Sequence, residues 1–173
     1  PGGTHFSEKL RKLILNKNHN SIKTETKLLL LLAARNEHCL NVIKPSLNNG
    51  CTVVCDRFTD STYAYQCNGN NRLNKIYKNL NSLILNKFEP NLTILLDIDP
   101  KISLYRISKR RNNNDYDKKS LLYYKKARNV YINLAKINNR IVVIDAKKPS
   151  KDIFDIVKNE VLKKINVRWR NNK

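Results

Sequence analysis

An acid and a base, Asp56 and Arg57, close the short apolar run Thr52-Val53-Val54-Cys55, and a dense polar run, Thr59-Asp60-Ser61-Thr62, follows. Arginine offers a planar fork that fits phosphate, and a neighbouring carboxylate can hold that fork or help place a cation. Two further features suit phosphate. Pro1-Gly2-Gly3-Thr4 leads into a helical pattern, and glycines let backbone amides approach an anion where a helix N-terminus adds partial positive charge. Arg106, Lys109, Arg110 and Arg111 stand at the mouth of a polar stretch, with Arg106 and Arg110 four apart on one helical face. Arginines that close over a reacting phosphoryl group stabilise the charge spread over its oxygens. In a chain this rich in Lys and Arg, the same cluster also fits a solvated basic face.

These residues need elements to position them. Phe6, Leu10, Leu13 and Ile14 mark a helix over 5–15, and 16–23 reads as a polar loop. Thr24 can cap a helix through Leu28–Leu32, where Leu on every face implies burial on several sides. Pro45 kinks or restarts the helical segment 36–48, which Asn48-Asn49-Gly50 ends. A second amphipathic helix covers 73–87 through Leu73, Ile76, Tyr77, Leu80, Leu83 and Ile84, and Pro90-Asn91 breaks it. Asp99-Pro100 supplies an N-cap and first residue for a helix from 100 to about 110. A Tyr-rich helix spans about 118–138, and Ser150 caps a last one. Three apolar runs, 52–55, 92–96 and 141–144, read as buried strands, each ending in an acid: Asp56, Asp97 and Asp145. Continuously apolar strands alternating with helices predict an α/β fold, a parallel sheet covered by helices. Ligands of such sheets bind beyond the strands' carboxyl ends. Asp97 and Asp145 are more simply read as the polar residues at which strands stop.

Composition narrows the classes. At 173 residues, one domain is the expectation; the seven-residue apolar run Leu28–Ala34 is too short to span a bilayer. Net charge is +20, but 23 Lys, 26 Asn and 16 Ile are the residues of A/T-rich codons, and the basic residues are spread over the whole chain. Drift in an A/T-rich genome explains the charge without a nucleic-acid partner. Four cysteines without CxxC spacing suit a reduced, cytoplasmic chain and not a zinc site or disulfide frame.

The order of these segments resembles the bacterial thymidylate kinases. Pro1-Gly2-Gly3-Thr4 is similar to the segment after that family's second strand. Leu28 to His38, ending Ala33-Ala34-Arg35-Asn36-Glu37-His38, resembles its core helix with the base-reading arginine. Val42-Ile43-Lys44-Pro45, Val53-Val54-Cys55-Asp56-Arg57-Phe58, Ser61, Ala64-Tyr65-Gln66, Leu95-Leu96-Asp97, the Arg-rich lid, Leu134-Ala135 and Ile144-Asp145-Ala146 follow in order over essentially the whole chain.

The resemblance implies the nucleotide kinase (P-loop NTPase) fold and transfer of the ATP γ-phosphoryl group to dTMP, giving dTDP, with Mg2+. Residues 1–173 would be one thymidylate kinase-like domain with a lid at about 106–119. Arg35 would hydrogen-bond the thymine. Arg57 would hold the acceptor phosphate, with Asp56 near the metal. Ser61, Thr62, Tyr65 and Gln66 would line base and sugar, although Tyr65 also suits a core aromatic and Gln66 a surface amide. Arg106 and Arg110 would be lid arginines, and Ala146 and Pro149 would lie near the adenine. A homodimer and a cytoplasmic location are implied, without membrane or nucleic acid. Departures stand beside these matches. Leu31 replaces a stacking Phe, Lys27 an acid, and Asn70 and Asp115 arginines. No G-x-x-x-x-G-K-[ST] occurs, so the first two strands are expected to be missing. The sheet order 2-3-1-4-5 would leave 52–55 and 92–97 without a shared partner. They would lie ~4.8 Å apart if paired directly, or ~10 Å with the gap kept. These residues taken alone are expected not to catalyse. The alternatives are a nucleic-acid binder, a non-catalytic dimerising remnant, and a kinase of another nucleotide.

Overall fold

The computed structural model describes residues 2–15, 22–86, 88–109 and 119–171. Helices α1 (His5–Leu15) and α2 (Thr24–His38) pack together, and a π-helical turn (Cys39–Ile43) joins α2 to α3 (Lys44–Asn48). Pro45 lacks the N–H that would continue the α2 ladder, so the helix is re-registered through the wider turn and restarts. Gly50, at φ +79, supplies the left-handed residue that ends it. After 51–58 come α4 (Thr59–Thr62), a second π-helical turn (Tyr63–Cys67) and α5 (Asn71–Leu85). Then follow β1 (Thr93–Asp97), α6 (Pro100–Ser108), α7 (Leu121–Ile137), β2 (Ile141–Asp145) and α8 (Ser150–Asn171).

β1 and β2 pair in parallel, from Thr93 opposite Ile141 to Asp97 opposite Asp145. Asp99 caps α6 as expected, its Oδ1 accepting from the Lys101 N–H at 2.7 Å. The core has two centres. Leu28, Leu32, Cys67, Leu73 and Tyr77 form one; Cys39, Ile43 and Leu85 form the other, with Val53, Phe58 and Phe88 packed against it. Burying each of these leucines stabilises the fold by about 1.5–3 kcal/mol.

Several expectations are corrected. Residues 51–55 form no strand, and Val54 is 92% exposed. An apolar run becomes a strand only where a neighbour accepts its ladder, and among the described residues β1 pairs with β2 alone. The sheet is covered incompletely, since Leu96 and Val143 are 51% and 44% exposed. Lys23, not Thr24, is the N-cap of α2, with no side-chain cap bond. Leu29 is half in solvent, so the Leu-rich helix buries Leu28, Leu31 and Leu32 but not every face. Leu83 and Ile84 lie outside the core face of α5, which ends at Asn86 in the left-handed region before reaching Pro90. No helix among the described residues is long and apolar enough to cross a membrane.

Candidate functional site

The free side of β1 faces a groove of about 1870 Å³, with residues 52–58 on the opposite wall and α7 and α8 lining it too. Asp56, Arg57, Ser61 and Tyr65 all line this groove. Thus part of the segment singled out from sequence lines the same groove as Asp97, whereas Arg35, Thr62 and Gln66 are not among its lining residues.

Arg35 reaches that segment from α2. It is 6% exposed; Nη2 donates to the Phe58 carbonyl at 3.1 Å and to Thr62 Oγ1 at 2.7 Å. Its guanidinium also lies over the Phe58 ring, 5.4 Å from the centroid. Nη1 is buried with no partner among the described residues. Burial lowers the pKa of this cation, nearby ionisable groups only partly opposing it. A buried guanidinium with an idle donor is costly in a merely structural role and useful where a polar ligand completes its bonds.

Arg57 sits in the left-handed region at φ 65. For a residue with a Cβ this strain costs about 1–2 kcal/mol, and such strain clusters at functional positions. The guanidinium stacks over Tyr65, 5.0 Å from its centroid. Burial alone would lower the Arg57 pKa; the facing Tyr65 and Tyr131 phenols outweigh it and hold the cation above its usual value. Asp56 is exposed next to it.

The segment Thr59–Cys67 is fastened on several sides. Tyr131 Oη donates to Ser61 Oγ at 2.6 Å, Tyr123 Oη to the Tyr65 carbonyl at 2.7 Å, and Tyr77 Oη to the Thr59 carbonyl at 2.8 Å. Burial pushes the Tyr131 phenol up to about 12, so it stays protonated and can donate near neutral pH. Thr62 is buried, and Gln66 is half-buried in the π-helical turn.

The residues expected on the ATP side form a separate group. Arg106, exposed at the end of α6, donates to the Ala146 carbonyl at 3.4 Å. The Ala146 N–H in turn donates to the Asp97 carbonyl at 2.8 Å, so this loop is tied to the end of β1. Pro149 is exposed just before α8. Arg110 and Asp115 lie outside the described residues, as does most of the expected lid.

Other side chains are bonded or buried within the fold. Asp97 accepts from Arg128 Nε and Nη2, both at 2.7 Å, and Asp145 Oδ1 accepts from the Lys147 N–H at 2.9 Å. These bonds explain the acids that end both strands. Asn70 caps α5 through the Leu73 N–H, and Leu31 is buried. Arg128, Tyr131 and Arg140 were not singled out from sequence; no local pattern separates them from the other basic and aromatic residues of 119–140. No group of three or more His, Cys, Asp or Glu able to hold a metal occurs among the described residues.

A family model described as Thymidylate kinase matches residues 1–157. A thymidylate kinase of Geobacillus sp. (strain WCH70) is 39% identical over 171 residues, covering 97% of this chain and 81% of that protein. One of Ligilactobacillus salivarius is 39% identical over 158 residues, 90% of this chain and 76% of that protein. One of Buchnera aphidicola subsp. Baizongia pistaciae is 36% identical over 167 residues, covering 96% and 79%. With the matched residues running through Arg35, the Asp56–Gln66 segment and both strands, the chain belongs to the thymidylate kinase family.

Proposed function

We propose that this chain carries the acceptor half of a dTMP kinase, which transfers the ATP γ-phosphoryl group to dTMP and forms dTDP for nucleotide biosynthesis. The observation that carries the reading is Arg35: a buried guanidinium, braced by Phe58 and Thr62, with Nη1 left to donate. A thymine carbonyl would accept from it. Arg57, its guanidinium held over the Tyr65 face, would bind the acceptor phosphate. Ser61, Thr62, Tyr65 and Gln66 would line base and sugar. Because the acceptor is already an anionic oxygen, no strong base is needed; positioning and charge neutralisation carry the rate.

Mg2+ is commonly held by one or two carboxylates together with substrate phosphates. The exposed Asp56 carboxylate beside Arg57 fits that donor set better than a protein cage would. When bound, the ion would neutralise phosphate charge. Arg106 and Arg110 would close over the transferring group, in a lid at about 106–119 of a single 1–173 domain. Ala146 and Pro149 would flank the adenine. Free thiols at all four cysteines suit a reducing cytoplasm. Leu29 and Leu40, each about half exposed at helical spacing, would meet a second copy in a homodimer.

We further propose that the groove beside β1 is the slot of a further central strand. Its volume, about 1870 Å³, exceeds the roughly 300–1,000 Å³ of ordinary ligand cavities. One wall is a strand edge with unpaired backbone groups, which a parallel strand would satisfy. The phosphate-cradling motif that these residues lack would accompany that strand, so phosphoryl transfer requires more than this chain.

Calorimetric titration of the 173-residue chain with dTMP, dUMP and dCMP tests the acceptor assignment. Saturable uptake of dTMP, with weaker uptake of dCMP, is expected. Equal heats for all three, or none, would overturn it.

A further inference from the structure

Arg140 precedes β2, and its side chain crosses to the nucleotide wall. Nη1 and Nη2 donate to the two Asp60 carboxylate oxygens, each at 2.8 Å, across 80 residues of sequence. Nη1 also donates to Thr93 Oγ1 at 2.7 Å, and Nε to Glu89 Oε2 at 3.3 Å. The Arg140 carbonyl accepts from the Thr93 N–H at 2.8 Å, next to the first rung of the strand pair. One residue thus joins the start of both strands to Asp60, between Thr59 and Ser61.

The Arg140 and Asp60 side chains are 14% and 12% exposed. A pair this buried is weak evidence for stability, since apolar replacements of similar volume often hold a fold as well. What a fork on a carboxylate supplies is orientation, because two parallel bonds fix both distance and rotation. The orientation fixed here is that of the helix bearing Ser61 and Thr62. The pairing also occupies Asp60, whose charge acts on Arg35 and would otherwise compete with the base for that guanidinium.

We propose that Arg140 is a positioning residue for nucleoside monophosphate binding: its fork on Asp60 sets the register of Thr59–Cys67 and hence where Ser61, Thr62 and Tyr65 meet the ligand. The inference rests on the acceptor reading above. Lysine keeps the charge and loses the fork, so Arg140→Lys is the decisive variant, with Arg140→Gln and the double variant Asp60→Asn/Arg140→Gln beside it. The readouts are calorimetric dTMP affinity, melting temperature, and amide hydrogen exchange of the ligand-free chain. Arg140→Lys should weaken dTMP roughly tenfold or more, while melting stays close to the parent and exchange quickens over 59–67 but not over 121–137. The double variant should bind no worse than Arg140→Gln alone, because the two changes remove one interaction. Parent-like dTMP affinity in both Arg140 variants would overturn the proposal, as would affinity falling only in step with global melting. A parent chain that takes up no dTMP would sink the acceptor reading instead. Exchange then decides the fastening alone: faster exchange over 59–67 supports it, and unchanged exchange overturns it.

Discussion

Replacing Arg35 by methionine should separate folding from binding. In the folded chain Nη2 makes two bonds, at 3.1 and 2.7 Å. Hydrogen bonds to charged groups contribute about 1.5–3 kcal/mol each, so the substitution forfeits about 3–6 kcal/mol. It also removes a cation that is 6% exposed and meets no carboxylate at ion-pair distance among the described residues. Relief of that desolvation is worth several kcal/mol, and the lowered pKa of Arg35 has the same origin. Methionine fills much of the vacated space. The opposing contributions are of similar size, so urea unfolding should shift by no more than about 2 kcal/mol. Ligand binding has no such compensation. Losing one charged donor to the base should weaken dTMP by about 1.5–3 kcal/mol, roughly ten- to a hundredfold, in calorimetric titration. Stability falling by more than about 4 kcal/mol with dTMP affinity unchanged would refute the reasoning and make Arg35 a core residue.

Three further outcomes are expected. Arg128, bonded through two N–H donors, holds Asp97 below the usual carboxylate range. That contribution is therefore present above the unfolded pKa of about 3.9 and lost as pH falls through the lower folded value. Arg128 is 41% exposed, so solvent screening keeps the effect small. Urea midpoints should still fall more steeply below about pH 4 for the parent than for Asp97→Asn, and parallel curves would count against the pair. Cys39 and Cys67, each 1% exposed, should react with a thiol reagent only on unfolding. Cys51 should react first, and Cys55 more slowly because burial of its thiol raises its pKa; dTMP should slow Cys55 alone, and equal protection of Cys51 would argue against a ligand at Asp56-Arg57. Gly3 stands at φ +96 with the His38 ring where a Cβ would go. Gly3→Ala should cost about 1–2 kcal/mol in urea unfolding, and His38→Ala in the same chain should recover only the steric part.

What could be read from sequence followed the range of the forces involved. The Asp99 cap on α6 is set by residues within a turn and was legible. That Asp56, Arg57, Ser61 and Tyr65 share one groove was legible because they are close together in the chain. The run 52–55 misled, because a strand is a property of two segments and apolar character reports only one. Tyr131 and Arg140 escaped notice because their partners are 70 and 80 residues away. With 34 Lys and Arg in the chain, side-chain type carries almost no information about which cation matters. Partners carry it instead. Arg128 and Arg140 each end on a carboxylate, so their charge is spent on holding elements together. Arg35 and Arg57 meet no carboxylate at that distance among the described residues and rest against aromatic rings. An aromatic face steadies a guanidinium without cancelling its charge. Of these two cations held in place yet left positive, Arg57 lines the groove beside the end of β1, which is what an anionic ligand requires.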